Sequence, residues 1–194
     1  MVFKILIAVL LTCAGDIFIN KLYSRSAELS FPKEISSRSR FRKPILFFAL
    51  AILFYLTDNF WIMAAIFLLL LMTLTDFEQY MLFDAMTFPL AIIGGIFSYQ
   101  SGILQENFLA ALVGGGVFLL LAIISKGSMG GGDVKLIFAL GLWLGENLFD
   151  VILYGTILGG IAGLTMILTK IKDRKSYFAY GPYFSLTAIY FLLA

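Results

Sequence analysis

Apolar residues run along this chain in blocks, and polar residues gather in the short breaks between them. Eight blocks are visible: about Val2 to Ile19, Ile45 to Leu56, Trp61 to Leu74, Ala85 to Tyr99, Phe108 to Ile124, Val134 to Leu144, Leu148 to Thr169 and Tyr177 to Leu193. A membrane-spanning helix needs about 20 apolar residues, with a working range of roughly 17–25. The second and sixth blocks are short, so they are expected to extend into flanking polar residues or to be partly re-entrant. The pattern predicts an all-α fold: a polytopic transmembrane helix bundle of about eight spans, forming a single domain over residues 1–194.

Composition points the same way. Apolar residues make up 61% of the chain and charged residues 13%, whereas a soluble domain carries about 25% charged residues to cover its surface. A bilayer asks for no such cover, provided backbone polar groups are satisfied internally. The 18 glycines include many inside blocks, among them Gly94, Gly95, Gly114, Gly115, Gly116, Gly159, Gly160 and Gly163. Small residues let membrane helices approach closely.

Charge sets the expected orientation, because Lys and Arg concentrate in cytoplasmic loops. The segment 21–43 holds Lys21, Arg25, Lys33, Arg38, Arg40, Arg42 and Lys43. Placing it in the cytoplasm puts the breaks at 76–84, 126–135 and 170–175 there too. These breaks contain every Lys and Arg except Lys4, while the opposite breaks carry Asp58, Glu106, Glu146 and Asp150. The N-terminus then faces outside, in an inner-membrane protein. The basic loop is expected to hold anionic lipid, at about 1 kcal/mol per basic residue near a charged surface. A cleaved signal is the rival reading of the first block. Lys4, the apolar run and Cys13 hint at one, but Thr12 precedes the cysteine and removal would leave an odd number of spans.

Two absences narrow the chemistry. There is no histidine, which excludes Ser-His and Cys-His nucleophile pairs and removes the commonest metal ligand. Cys13 is the lone cysteine, so neither an internal disulfide nor a multi-cysteine zinc site can form. No metal is expected. A net charge of +2 gives no reason to expect a nucleic-acid partner. Carboxylates, lysines and tyrosines remain as acid–base groups.

Acids at membrane depth are costly, roughly 2.5–3.5 kcal/mol at a helix centre, and so are functional candidates by default. Asp76 ends the third block and Asp84 opens the fourth; were the segment helical, they would lie about two turns apart. The plain alternative is a pair of solvated loop acids. Asp133 follows Gly130, Gly131 and Gly132, whose missing side chains would let another backbone approach its carboxylate. The plain alternative is a flexible loop with Asp133 as N-cap of the sixth span. Alternation of spans places Asp76 and Asp133 at one membrane face. Two carboxylates suffice for peptide hydrolysis: one takes a proton from water, the other donates to the scissile group. Close like charges share a proton and titrate as a unit, the pattern of aspartic proteases.

Gly130-Gly131-Gly132-Asp133 resembles the GxGD motif of membrane aspartyl proteases. Continued through Val134, Lys135 and Leu136, it is similar to the type IV prepilin peptidases. Asp76-Phe77-Glu78 through Phe83-Asp84 resembles that family's other catalytic segment, with Phe83 where the family usually has proline. Tyr180-Gly181-Pro182-Tyr183 resembles its final Gly-Pro segment, and Gly15 to Tyr23 more weakly its opening. The resemblance covers most of the chain from Thr73 onward. It implies Asp76 and Asp133 as the catalytic pair, with Glu78, Asp84, Gly130, Gly131, Gly132 and Lys135 supporting. Lys135 reads equally as a plain anchor at a helix end. The resemblance further implies removal of leader peptides from prepilins or pseudopilins at the cytoplasmic face, ahead of the pilin's apolar helix. No cofactor is required for that step. S-adenosylmethionine enters only if the family's N-methylation is retained. The cysteine-rich insert that relatives carry between the first two spans has no counterpart in residues 27–43.

Three other readings compete. A presenilin-like protease would place Tyr before the first Asp, where Thr75 stands. A small ion-coupled transporter would place acids at mid-membrane, whereas these lie at block edges. An inactive assembly scaffold retains no need for both acids.

Overall fold

The computed structural model describes residues 2–26, 29, 39–125, 130–170 and 178–194. Its helices are α1 (Val2–Arg25), α2 (Arg42–Tyr55, entered through a 3-10 turn at Ser39–Phe41), α3 (Phe60–Gln79), α4 (Asp84–Gln100), α5 (Leu104–Ile124), α6 (Gly131–Leu144), α7 (Asn147–Leu168) and α8 (Gly181–Leu193). There is no strand among the described residues. Each apolar block forms one helix, as the pattern predicts.

The bundle exposes apolar side chains that a soluble protein would cover, around a core that is itself largely apolar. Large apolar side chains such as Phe48, Ile92, Leu120 and Ile157 face outward, while Asp16, Arg42, Asp76, Glu78, Ser98 and Asn107 are buried. An apolar exterior of this extent suits hydrocarbon, with polar groups paired inside. Helices α1, α3, α5 and α7 are long and apolar enough to cross a bilayer. At 14 residues, α6 covers about 21 Å of a hydrocarbon core about 30 Å thick. The chain is a multi-pass membrane protein.

Several helix ends lie further out than the apolar blocks suggest, because polar residues cap or extend them. Helix α3 starts where Asn59 Oδ1 accepts from the N–H groups of Trp61 (2.9 Å) and Ile62 (3.4 Å), a side-chain N-cap. It runs past Leu74, through Asp76, to Gln79, and stops at Tyr80 in a left-handed conformation (φ 53°). Asp84 then opens α4, so Asp76 and Asp84 are not two turns apart on one helix. Helix α6 likewise begins in the glycines. Gly130 is its N-cap and Asp133 lies in its first turn, with its N–H donating to Gly130 O (3.1 Å). The expectation of Asp133 as N-cap is therefore corrected: the flexible backbone of Gly130 takes that place.

Close approach and a few hydrogen bonds hold the core. A Cβ at Gly141 of α6 would collide with the backbone of Ala111 in α5. Trp143 Nε1 donates to Leu90 O (2.8 Å), and its ring stacks on Phe97. Asn107 Nδ2 donates to Ser98 Oγ (2.7 Å) and Leu142 O (3.1 Å), joining α4, α5 and α6 at one end of the bundle. Such interhelical bonds contribute about 0.6 kcal/mol each in membranes. At that end as well Lys4, the discordant charge, pairs with Asp58 (2.7 Å). The other end gathers Tyr23, Arg42, Asp76, Glu78, Asp84, Asp133 and Gly181.

One expectation needs correction there. Arg42 does not belong to a solvated basic loop; its side chain is completely buried in the first turn of α2. Lys33 and Arg38 of the same segment, Lys126, and Lys172, Arg174 and Lys175 near the end lie outside the described residues.

Candidate active site

Asp76 reaches the site from the last turn of α3, and Asp133 from the first turn of α6. Both line one cavity of about 210 Å³. Tyr80, Met81 and Leu82 from the α3–α4 connection complete its wall, with Gly130 and Gly132 opposite. Asp76 is buried, at 5% exposure, while Asp133 is half-buried. They lie within electrostatic reach of each other.

Backbone groups receive both acids. The Gly181 N–H, at the start of α8, donates to the Asp76 carboxylate, and the Gly130 N–H to that of Asp133. A backbone N–H at a helix start suits a carboxylate because its dipole points at the charge. Gly181 packs so closely that a Cβ there would stand 2.7 Å from Asp76 Oδ2. A Cβ at Gly132 would stand 2.9 Å from the Leu82 side chain. Glycine at these two positions keeps the α8 and α6 backbones against the cavity.

The remaining candidates separate into two groups. Gly131 belongs to the first turn of α6 but does not line the cavity. Lys135 Nζ donates to both carboxylate oxygens of Asp84 (2.6 and 2.8 Å), an exposed clasp between α4 and α6 beside the cavity. Glu78 turns away from Asp76. Residues two positions apart on an α-helix differ by about 200° in azimuth, and Glu78 faces α1 and α2, where it meets Arg42 and Tyr23.

Sequence reasoning leaves Gly181 out of the site, although it lies in the Gly-Pro segment. It also missed Arg42, Asp16, Asn20 and Tyr23. Asp16 carried a usable signal, being an acid inside the first apolar block. Arg42 carried none, since its neighbours Arg40 and Lys43 read as one basic stretch with it.

With this geometry in hand, residues 62–164 match the model of the type IV leader peptidase family. That match spans more than half the chain and contains both Asp76 and Asp133. The chain belongs to the type IV leader peptidase family. Relatives named "Prepilin leader peptidase/N-methyltransferase" include one from Neisseria gonorrhoeae, 36% identical over 122 residues, covering 59% of this chain and 41% of the relative. One from Aeromonas salmonicida is 32% identical over 142 residues, covering 68% and 49%. One from Escherichia coli K12 is 31% identical over 126 residues, covering 60% and 55%. The chain spans about half the length of the curated relatives it matches. No solved structure matches it. Phe83, at the entry to α4, is buried and packs against Tyr23 at a ring distance of 5.9 Å.

Proposed function

We propose that this protein is a membrane-embedded aspartyl endopeptidase that removes the leader peptide of prepilins or pseudopilins. Residues 1–194 form a single transmembrane peptidase domain, in the inner membrane, with the Asp76–Asp133 end toward the cytoplasm. The observation carrying the reading is the convergence of Asp76 and Asp133 on one open cavity flanked by glycine backbone. One carboxylate, ionised, takes a proton from water; the other, protonated, donates to the scissile carbonyl or leaving amine. The pair returns to its single shared proton after turnover. An extended substrate would lie in this cavity beside the acids, along backbone that carries no side chain at Gly130. Asp84 and Lys135 support the site by clasping α4 to α6, and membrane lipid surrounds the substrate's apolar helix.

The relatives' names also include N-methyltransferase. Methyl transfer would draw its methyl group from S-adenosylmethionine. The acid-pair cavity, at about 210 Å³, is smaller than the roughly 300–1,000 Å³ of small-molecule sites, so that cavity by itself does not enclose the group.

The test is reconstitution in lipid with a synthetic prepilin, followed by leader removal on a gel. Wild type cleaves, and folded Asp76→Asn and Asp133→Asn variants do not. A folded single variant that still cleaves refutes the two-carboxylate mechanism. Product mass with and without added S-adenosylmethionine decides methylation separately.

A further inference from the structure

Opposite the acid pair, on the other side of the same turn of α3, lies a buried ionic network. Arg42 is its centre, with a side chain 0% exposed. Its Nε donates to Glu78 Oε1 (2.9 Å) and its Nη2 to Glu78 Oε2 (2.6 Å), a two-pronged fork on one carboxylate. Its Nη1 donates to Asp16 Oδ1 (3.0 Å) and Asn20 Oδ1 (2.7 Å). Tyr23 Oη donates to Glu78 Oε2 (2.8 Å), and the guanidinium lies 5.5 Å from the Tyr23 ring centre. Lys43 Nζ reaches Asp16 Oδ2 (3.3 Å), so among the described residues the network holds two basic and two acidic groups.

A charge buried in a membrane protein is costly, and its presence points to a functional role. A fork between planar groups fixes orientation as well as distance. Here it grips the last turn of α3, which ends at Gln79 just before the left-handed Tyr80. Terminal helix turns are loosely held by their own hydrogen bonds. Glu78 and Asp76 stand about 200° apart on this turn. Holding Glu78 toward α1 and α2 therefore holds Asp76 toward α6 and α8.

We propose that Arg42 is a positioning residue for catalysis: its fork on Glu78 sets the rotation of the α3 end and so delivers Asp76 to Asp133. This rests on the peptidase reading above. Arg42 touches neither acid of the pair and acts through Glu78. Its charge is spent inside the protein and adds nothing to the attraction of segment 21–43 for lipid.

The experiment uses the full chain in lipid with the synthetic prepilin, with kcat and KM measured per folded molecule. Arg42→Lys keeps the charge but loses the planar fork. Glu78→Gln keeps the shape but puts a donor where the fork needs an acceptor. Each variant is expected to lower kcat at least about tenfold, since misplacement near 1 Å costs that much or more, while KM stays within about twofold. The double variant should lose little beyond either single one, because both break one contact. Cleavage by wild type and none by Asp76→Asn establishes the underlying reading independently. Given that, a folded Arg42→Lys or Glu78→Gln with wild-type kcat overturns the proposal. So does a loss that only tracks the folded fraction, or a rise in KM at constant kcat. Should Arg42→Lys not fold, Glu78→Gln decides alone.

Discussion

Gly181→Ala adds one methyl group where α8 meets Asp76, and it probes the acid's environment more finely than removing the acid does. The new Cβ would stand 2.7 Å from Asp76 Oδ2 and 3.2 Å from two Leu82 methyl carbons. Ordinary carbon–oxygen contact begins near 3.4 Å, so the carboxylate must retreat by roughly 0.7 Å or rotate. Retreat also lengthens the hydrogen bond from the Gly181 N–H, a bond to a charged group worth about 1.5–3 kcal/mol. Losing half of that from the aligned state corresponds to a fall in kcat of about 4- to 13-fold, and a displacement of this size carries the fall toward about 100-fold. Helix α8 should survive, because alanine is a better helix former than glycine. The control is Gly160→Ala in α7, where a Cβ meets nothing within 4 Å. Both variants would be reconstituted in lipid and assayed on the synthetic prepilin, with thermal unfolding in detergent run alongside. Gly160→Ala should match wild type. If Gly181→Ala folds and cleaves at the wild-type rate, the contact between α8 and Asp76 plays no part in catalysis, and the proposed geometry is wrong.

Other perturbations follow from the packing. Gly141→Ala drives a methyl group into the Ala111 backbone, so α5 and α6 must part; overpacking of this kind costs about 1–3 kcal/mol, read as a lowered unfolding temperature. Ser185→Ala removes a buried hydroxyl with no hydrogen-bond partner among the described residues; unfolding should occur at the same temperature or higher, and a marked fall would refute this. Lys135→Ala breaks an ion pair that is about half exposed on both sides; it should cost under about 1 kcal/mol of stability.

The two acids and their membrane edge were legible because each announces itself locally. Asp133 follows three glycines, and Asp76 closes an apolar run, so a linear scan finds both. Eight helices were legible for the same reason, since hydrocarbon selects apolar stretches of a set length. Helix ends were less so. Capping by Asn59 and Gly130, and the turn at Tyr80, depend on backbone angles that an apolar scan does not register. Arg42 was misread because the rule that assigns basic residues to loops counts charge without asking whether an acid waits nearby. Asp16 and Glu78 lie 26 and 36 positions away in the chain, and no local pattern connects them.

By itself, then, the chain order determined an all-helical membrane bundle and the end at which its acids gather, because span length and alternation are one-dimensional properties. Only the tertiary structure decided which acid faces which. On α3 a rotation of about 100° per residue sends Asp76 to Asp133 and Gly181, and Glu78 to Arg42. That azimuth is set by contacts among five helices, and sequence spacing carries it only as an angle without a reference direction.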